Sequence, residues 1–183
     1  MKNILLILFL ILIPKTFAQE RQSISVEKSI LGIQTGFLGF WIHNESRISK
    51  EIALRTELGL DFGYSENGFG KTSAFIPIIR VEPRWYYNLE KRGRKGRSVS
   101  KNSGNFLALT INYNPDWFII SNQDNISVIS TLSFVPKWGI KRTVGNHFTY
   151  ETGFGVGKFF VLNNFEVENT VAVDLHLRIG YTF

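Results

Sequence analysis

From Val171 to Phe183 every odd position is apolar or aromatic: Val171, Val173, Leu175, Leu177, Ile179, Tyr181 and Phe183. Between them stand Ala172, Asp174, His176, Arg178, Gly180 and Thr182, all small or polar. Successive side chains of a β-strand point to opposite faces, so this stretch reads as a strand with one apolar face and one face carrying both charge signs. A strand in a water-soluble antiparallel sheet can alternate in the same way, so the pattern needs support from elsewhere in the chain.

That support comes from the body of the sequence. Over 52–64, Ile52, Leu54, Leu58, Leu60, Phe62 and Tyr64 share one face, broken only by Thr56, opposite Ala53, Arg55, Glu57, Gly59, Asp61 and Gly63. Ile79, Val81, Trp85 and Tyr87 stand opposite Arg80, Glu82, Arg84 and Asn88, and Leu107, Leu109, Ile111 and Tyr113 opposite Ala108, Thr110, Asn112 and Asn114. These runs exceed the usual soluble strand of about five or six residues and match the roughly 9–11 that a tilted membrane-spanning strand needs. Strands are expected at 29–43, 50–64, 74–88, 105–118, 125–142, 146–160 and 170–183, with no helix in the mature chain. Single-chain bacterial barrels have even strand counts, which points to an eighth strand, assigned to the stretch Gln22 to Lys28. The expected fold is therefore all-β, an antiparallel transmembrane β-barrel of eight strands occupying residues 19–183. A secreted β-sandwich is the competing architecture.

The N-terminus agrees with export. Lys2 precedes the apolar run Ile4 to Ile13, and Thr16 and Ala18 are the small residues of a cleavage site, so 1–18 reads as a signal peptide. The run is too short for a spanning helix of about 20 residues. The chain has no cysteine, which removes a disulfide framework and thiolate chemistry. Its 16 Phe, six Tyr and four Trp suit a barrel that concentrates aromatic residues at two interfaces.

The alternation, the leader, the segments Pro83 to Leu89 and Trp138 to Arg142, and the terminal Phe183 together resemble small outer-membrane β-barrel proteins of Bacteroidota, of the uncharacterised eight-stranded type. The resemblance covers the mature chain and supplies no catalytic residues. It implies location in the cell outer membrane, contact with outer-membrane lipid and lipopolysaccharide, and insertion by the assembly machinery, with Tyr181 and Phe183 in the recognition signal. Both chain ends then lie in the periplasm. The connections 119–124 and 161–169 are expected outside, and the turn 143–146 and the basic segment 89–104 inside. That segment has six Lys or Arg and one acid, and reads as a solvated flexible loop, with lipopolysaccharide phosphates, peptidoglycan or a periplasmic protein as alternative partners.

The polar faces carry the candidate functional residues: Arg55, Glu57, Asp61, Arg80, Glu82, Arg84, Glu151, Asp174, His176 and Arg178. Charge on a lipid-facing surface costs about 2–4 kcal/mol at midplane, so these residues are assigned to the lumen, where they must pair. A plugged lumen with a structural or envelope-interaction role is the preferred reading, and a narrow pore or small-ligand carrier the alternative. Inward glycines leave room for large neighbours such as Arg. Gly153, Gly155 and Gly157 lack the strand-to-helix switch of a phosphate loop. A lipid-modifying enzyme needs a His beside a Ser, yet His43 and His147 fall near periplasmic turns and His176 sits in the charged face. No enzymatic role, cofactor, metal or nucleic-acid partner is expected, and the barrel is expected to be a monomer.

Overall fold

The computed structural model describes residues 24–67, 70–124, 126–162 and 170–183. Among these residues nine strands form: β1 (Ser29–Gly36), β2 (Gly39–Arg47), β3 (Ile52–Asn67), β4 (Gly70–Trp85), β5 (Asn105–Asn114), β6 (Ile120–Ser121), β7 (Thr131–Val144), β8 (Phe148–Val161) and β9 (Val171–Thr182). Eight of them make a closed antiparallel barrel. Neighbours in sequence pair in turn, β5 pairs with β7, and β9 returns to β1 through Gly32↔Thr182 to Gly36↔Arg178. The two-residue β6 only flanks β4 at Ala74 and Phe75.

Two sequence expectations are corrected here. The stretch 29–43 is not one strand: it contains the turn Phe37–Leu38, with Gly36 facing Gly39, so the missing eighth strand lies there. Residues 24–28 are not a strand, and 1–23 are outside the described residues, as are the expected leader and most of 161–169. The parity of the apolar residues carried the signal. Leu31 and Ile33 are outward at odd positions, whereas Phe40 and Ile42 are outward at even ones, and the turn between them reverses the phase. The connections 115–119 and 126–130 are also not strand, so β5 and β7 are shorter than expected.

Followed round the ring, the registers climb about 12 residues before meeting β1 again, which tilts the strands by about 45°. The tilt widens the bore enough for Arg, Glu and Lys side chains. Small residues then fit the tightest places. A Cβ on Gly139 would lie 2.3 Å from the Phe106 ring, and one on Gly153 would lie 2.5 Å from the His176 imidazole. The large neighbours that take the room at these two glycines are a phenyl and an imidazole.

The barrel's outer face is apolar along every strand. Leu58, Leu175 and Ile179 are each more than 60 % exposed (61 %, 66 % and 62 %). Aromatic residues gather towards the two rims. At the end that holds the termini stand Trp85, Tyr87, Trp138, Tyr150, Phe148, Tyr181 and Phe183; near the other stand Phe40, Phe62, Phe75, Phe134 and Phe160. Phe75 and Trp85 are ten residues apart on the same face of β4, a rise of roughly 23 Å along an axis tilted 45° from the strand.

The basic segment is folded, contrary to its reading as a flexible loop. It forms a short helix, α1 (Leu89–Arg94), and a 3-10 turn (Ser100–Asn102). Six residues are too few for propensity alone to hold a helix. Packing holds it: Leu89 joins Val26, Ala53, Tyr86 and Phe106 in a buried cluster, with Ile24 and Val99 against it. Glu27 N–H donates to Asn102 Oδ1 (2.7 Å), and Val26 N–H donates to the Lys50 carbonyl (2.9 Å). The barrel is therefore stoppered at its termini end by 24–28 and 86–104 together.

Gly139→Val is expected to cost about 1–3 kcal/mol through forced displacement of the Phe106 ring. Urea titration of the folded barrel measures it, and an unchanged midpoint would contradict the close packing described here.

Candidate functional site: a buried charge network beneath an open cavity

Above the apolar stopper, alternation turns charged side chains from β2, β3, β4, β7, β8 and β9 into one interior. Burying an isolated charge is prohibitive, so each must find partners. Arg84 is the centre. Its Nη1 and Nη2 donate to Glu151 Oε2 and Oε1 at 2.9 and 2.6 Å, its Nε donates to Glu82, and its guanidinium lies 4.2 Å from the centroid of Phe106. Fork-to-fork pairing of this kind is directional as well as strong.

Glu57 is a second centre, accepting from Arg55, from Arg80, and from Arg178 Nη1 at 3.0 Å on both oxygens. Arg55 Nη2 also donates to Gln34 Oε1 at 2.6 Å. Asp61 accepts Trp41 Nε1–H at 2.7 Å and lies 3.5 Å from Arg80. Asp174 faces His176 Nδ1 at 3.0 Å and accepts from Lys137 at 3.2 Å. Every candidate residue from Arg55 to Arg178 named in the sequence is thus placed in this one interior.

The sequence reading missed Glu45, Lys137 and Lys141 and misplaced His43. Glu45 takes bonds from Lys141, from the Tyr86 hydroxyl and from Asn102 Nδ2 (3.0 Å), tying the network to the stopper. Lys137 pairs with Glu82, which also accepts from Arg84 and from Thr110 Oγ1 at 2.6 Å. His43 is not near a turn as expected; it is buried in mid-strand, against Gly32 and opposite Glu57 in the register. Lys137 and Lys141 were legible as the inward alternates of Trp138 and Ile140. Glu45 and His43 were hidden by the merging of β1 and β2.

The result is charge-balanced. Among the described residues the network holds the carboxylates Glu45, Glu57, Asp61, Glu82, Glu151 and Asp174 against the cations Arg55, Arg80, Arg84, Lys137, Lys141 and Arg178. Tyr86, just beyond β4, has its hydroxyl pKa pushed well up, by burial first and by the Glu45 carboxylate second, so it stays a donor. Both nitrogens of His176 face carboxylates, Asp174 at 3.0 Å and Glu151 at 3.3 Å, which leaves neither in contact with a hydroxyl nucleophile. His147 lies at the β7–β8 turn, its Nδ1 2.8 Å from the Thr182 carbonyl oxygen.

Beyond the network, at the end away from the termini, the interior opens into a cavity of about 540 Å³. Trp41, Asp61, Arg80, Asn112, Asp174, His176 and Arg178 floor it. Its wall is interrupted: β9 pairs with β1 only from Arg178 onward, so over 171–177 its described partner is β8 alone. Val173, Leu175 and Leu177 from that unpaired edge, with Phe37 and Leu38 of the β1–β2 turn, border the same cavity. Arg178 spreads 4.0 Å from the Trp41 ring centroid, and its buried Nε has no hydrogen-bond acceptor among the described residues.

Comparison with protein-family models, with curated proteins and with solved structures finds no match.

Arg84→Met is expected to destabilise the barrel by about 3–5 kcal/mol, because it leaves Glu151 buried without its fork. Adding Glu151→Leu should return part of that loss, read as a coupling term in a double-mutant cycle of urea midpoints. Strict additivity would mean that the pair is not energetically linked.

Proposed function

We propose that this chain is an integral outer-membrane β-barrel protein whose charged lumen is plugged, and whose role is structural or in envelope contact, without enzymatic activity. The inversion of polarity carries the reading. Apolar side chains ring the outside while full charges fill the inside, and soluble monomers rarely expose contiguous apolar patches beyond a few hundred Å². In lipid the same surface is an asset, and closure of the barrel satisfies the backbone between strands. Aromatic rims about 23 Å apart fit the roughly 25 Å band of outer-membrane barrels. The resemblance to small barrels of Bacteroidota, export by the leader at 1–18, a monomeric state, and recognition of Tyr181 and Phe183 by the assembly machinery belong to the same proposal. Phe183 is exposed and packs edge-on to Tyr181, which suits such recognition.

The two-stage interior supports plugging. The stopper fills the termini end with side chains and the network fills the middle, where its carboxylates and cations balance among the described residues. Cell fractionation with a heat-modifiability gel is the primary test: membrane recovery and a mobility change on boiling are expected. Soluble recovery without that change would refute the proposal. In planar bilayers the protein should give no steady conductance; channels altered by Glu57→Ala would replace the plugged lumen with a pore.

One observation favours a second reading, a carrier of a small amphiphile. The cavity joins a polar floor to an apolar break in the wall at 171–177. A brominated dodecanoate should then quench Trp41 in a variant carrying Trp85→Phe, Trp117→Phe and Trp138→Phe, and Ala172→Phe, which narrows the cavity, should abolish the quenching. Equal quenching with and without Ala172→Phe would remove this reading.

A further inference from the structure

At the termini end, outside the barrel interior, α1 and the start of β5 enclose a cleft of about 460 Å³ with an unusual lining. Five cations face it, Lys91, Arg92, Lys95, Arg97 and Arg142, together with Tyr87, and no carboxylate does. The single acid of the segment, Glu90, is taken by Arg94 one turn along the helix. Like charges crowded into one cleft repel at every pairwise distance, and no carboxylate among the described lining residues neutralises them.

The cleft is built, not a spray of surface lysines. Arg142 is fixed by donating to the Gly104 and Lys141 carbonyls at 2.8 and 2.7 Å and to Asn105 Oδ1 at 2.6 Å. Arg92 Nη2 donates to the Ser98 carbonyl at 3.1 Å, while its Nε is buried and has no acceptor among the described residues. The Arg92 guanidinium is pushed below its ordinary pKa, by burial first and by Arg97 second. All of these costs are relieved by one thing, an oxyanion seated among the guanidinium groups.

The cleft's position selects the anion. Tyr87 lines the cleft and also belongs to the outer aromatic rim: its hydroxyl accepts Trp138 Nε1–H at 2.9 Å, and its ring stands edge-on to Trp85 at 5.9 Å. Tyr150, outward on β8, pairs with Arg142 in the β7–β8 register. Aromatic side chains at the edge of an apolar band mark headgroup depth in a bilayer, and cations near such a surface attract anionic lipid. We infer that this cleft binds the phosphate of an anionic phospholipid from the leaflet at the termini end, with the acyl chains running down the apolar face beside Tyr87 and Trp138.

This inference rests on the proposed membrane location and names the partner of the basic segment, so the test separates the two. Full-length protein is folded in a neutral maltoside detergent, and its heat-modifiability is recorded on the same sample. Native mass spectrometry then follows retention of phosphatidylglycerol against phosphatidylethanolamine of identical chains, with inorganic phosphate as the soluble competitor. Phosphatidylglycerol should be retained about tenfold more strongly. Lys95→Gln with Arg97→Gln should erase the preference, and Lys50→Gln with Lys71→Gln, an equal loss of charge elsewhere, should not. A heat-modifiable barrel that holds both lipids alike, or keeps its preference in the Lys95/Arg97 variant, overturns the lipid site alone. Displacement of the lipid by millimolar inorganic phosphate would make this a free-phosphate site and equally overturn the lipid assignment. A sample that stays soluble without detergent and shows no mobility change overturns the membrane reading itself.

Discussion

The structure depends on one constraint: among the described residues six carboxylates and six Arg or Lys side chains share a narrow interior, and each charge there must be paired. Such a network is weak evidence for stability, because desolvation consumes most of the Coulomb gain. What it constrains is strand register. Sliding β2, β3, β4, β7, β8 or β9 by one residue would carry its charges to the apolar outer face and strip their partners of counterions. Arg84 from β4 and Glu151 from β8 stand on strands that are not neighbours, so their fork ties the walls together across the bore.

Around that network the molecule is graded along its axis. The termini end is closed by an apolar cluster, the middle by ion pairs, and the far end opens into a cavity. Glu45 joins the first two zones, since it accepts from Lys141 within the network and from Tyr86 and Asn102 of the stopper. The basic segment thereby becomes part of the fold. Its buried side, through Leu89 and Val99, closes the barrel, and its other side presents cations to whatever lies at that rim. The interrupted seam of β9 against β1 lies at the cavity end, where the network no longer fills the interior.

The proposed bilayer location and the interior are two views of one pattern. Leu175 outside and Asp174 and His176 inside are consecutive residues, separated only by the pleat. A sheet that closes on itself converts this alternation into an apolar cylinder around a polar bore. The steep stagger of the strands sets the width of that bore, and Gly139 and Gly153 carve places in it for Phe106 and His176.

The sequence by itself determined the strand class, the two faces of β3, β4, β5, β8 and β9, and the inward set from Arg55 to Arg178, because side-chain direction in a strand depends only on parity. It did not determine that 29–43 holds a turn, for Phe37 and Leu38 are apolar and break the usual composition of turns. Nor could it show that residues 89–104 fold against Val26 and Phe106, since that packing is non-local and the local composition is that of a solvated loop. Which cation meets which carboxylate was decided only by the closed barrel. Pairs such as Arg84 with Glu151 and Lys141 with Glu45 lie 67 and 96 residues apart, and stagger and curvature alone bring them within hydrogen-bond reach.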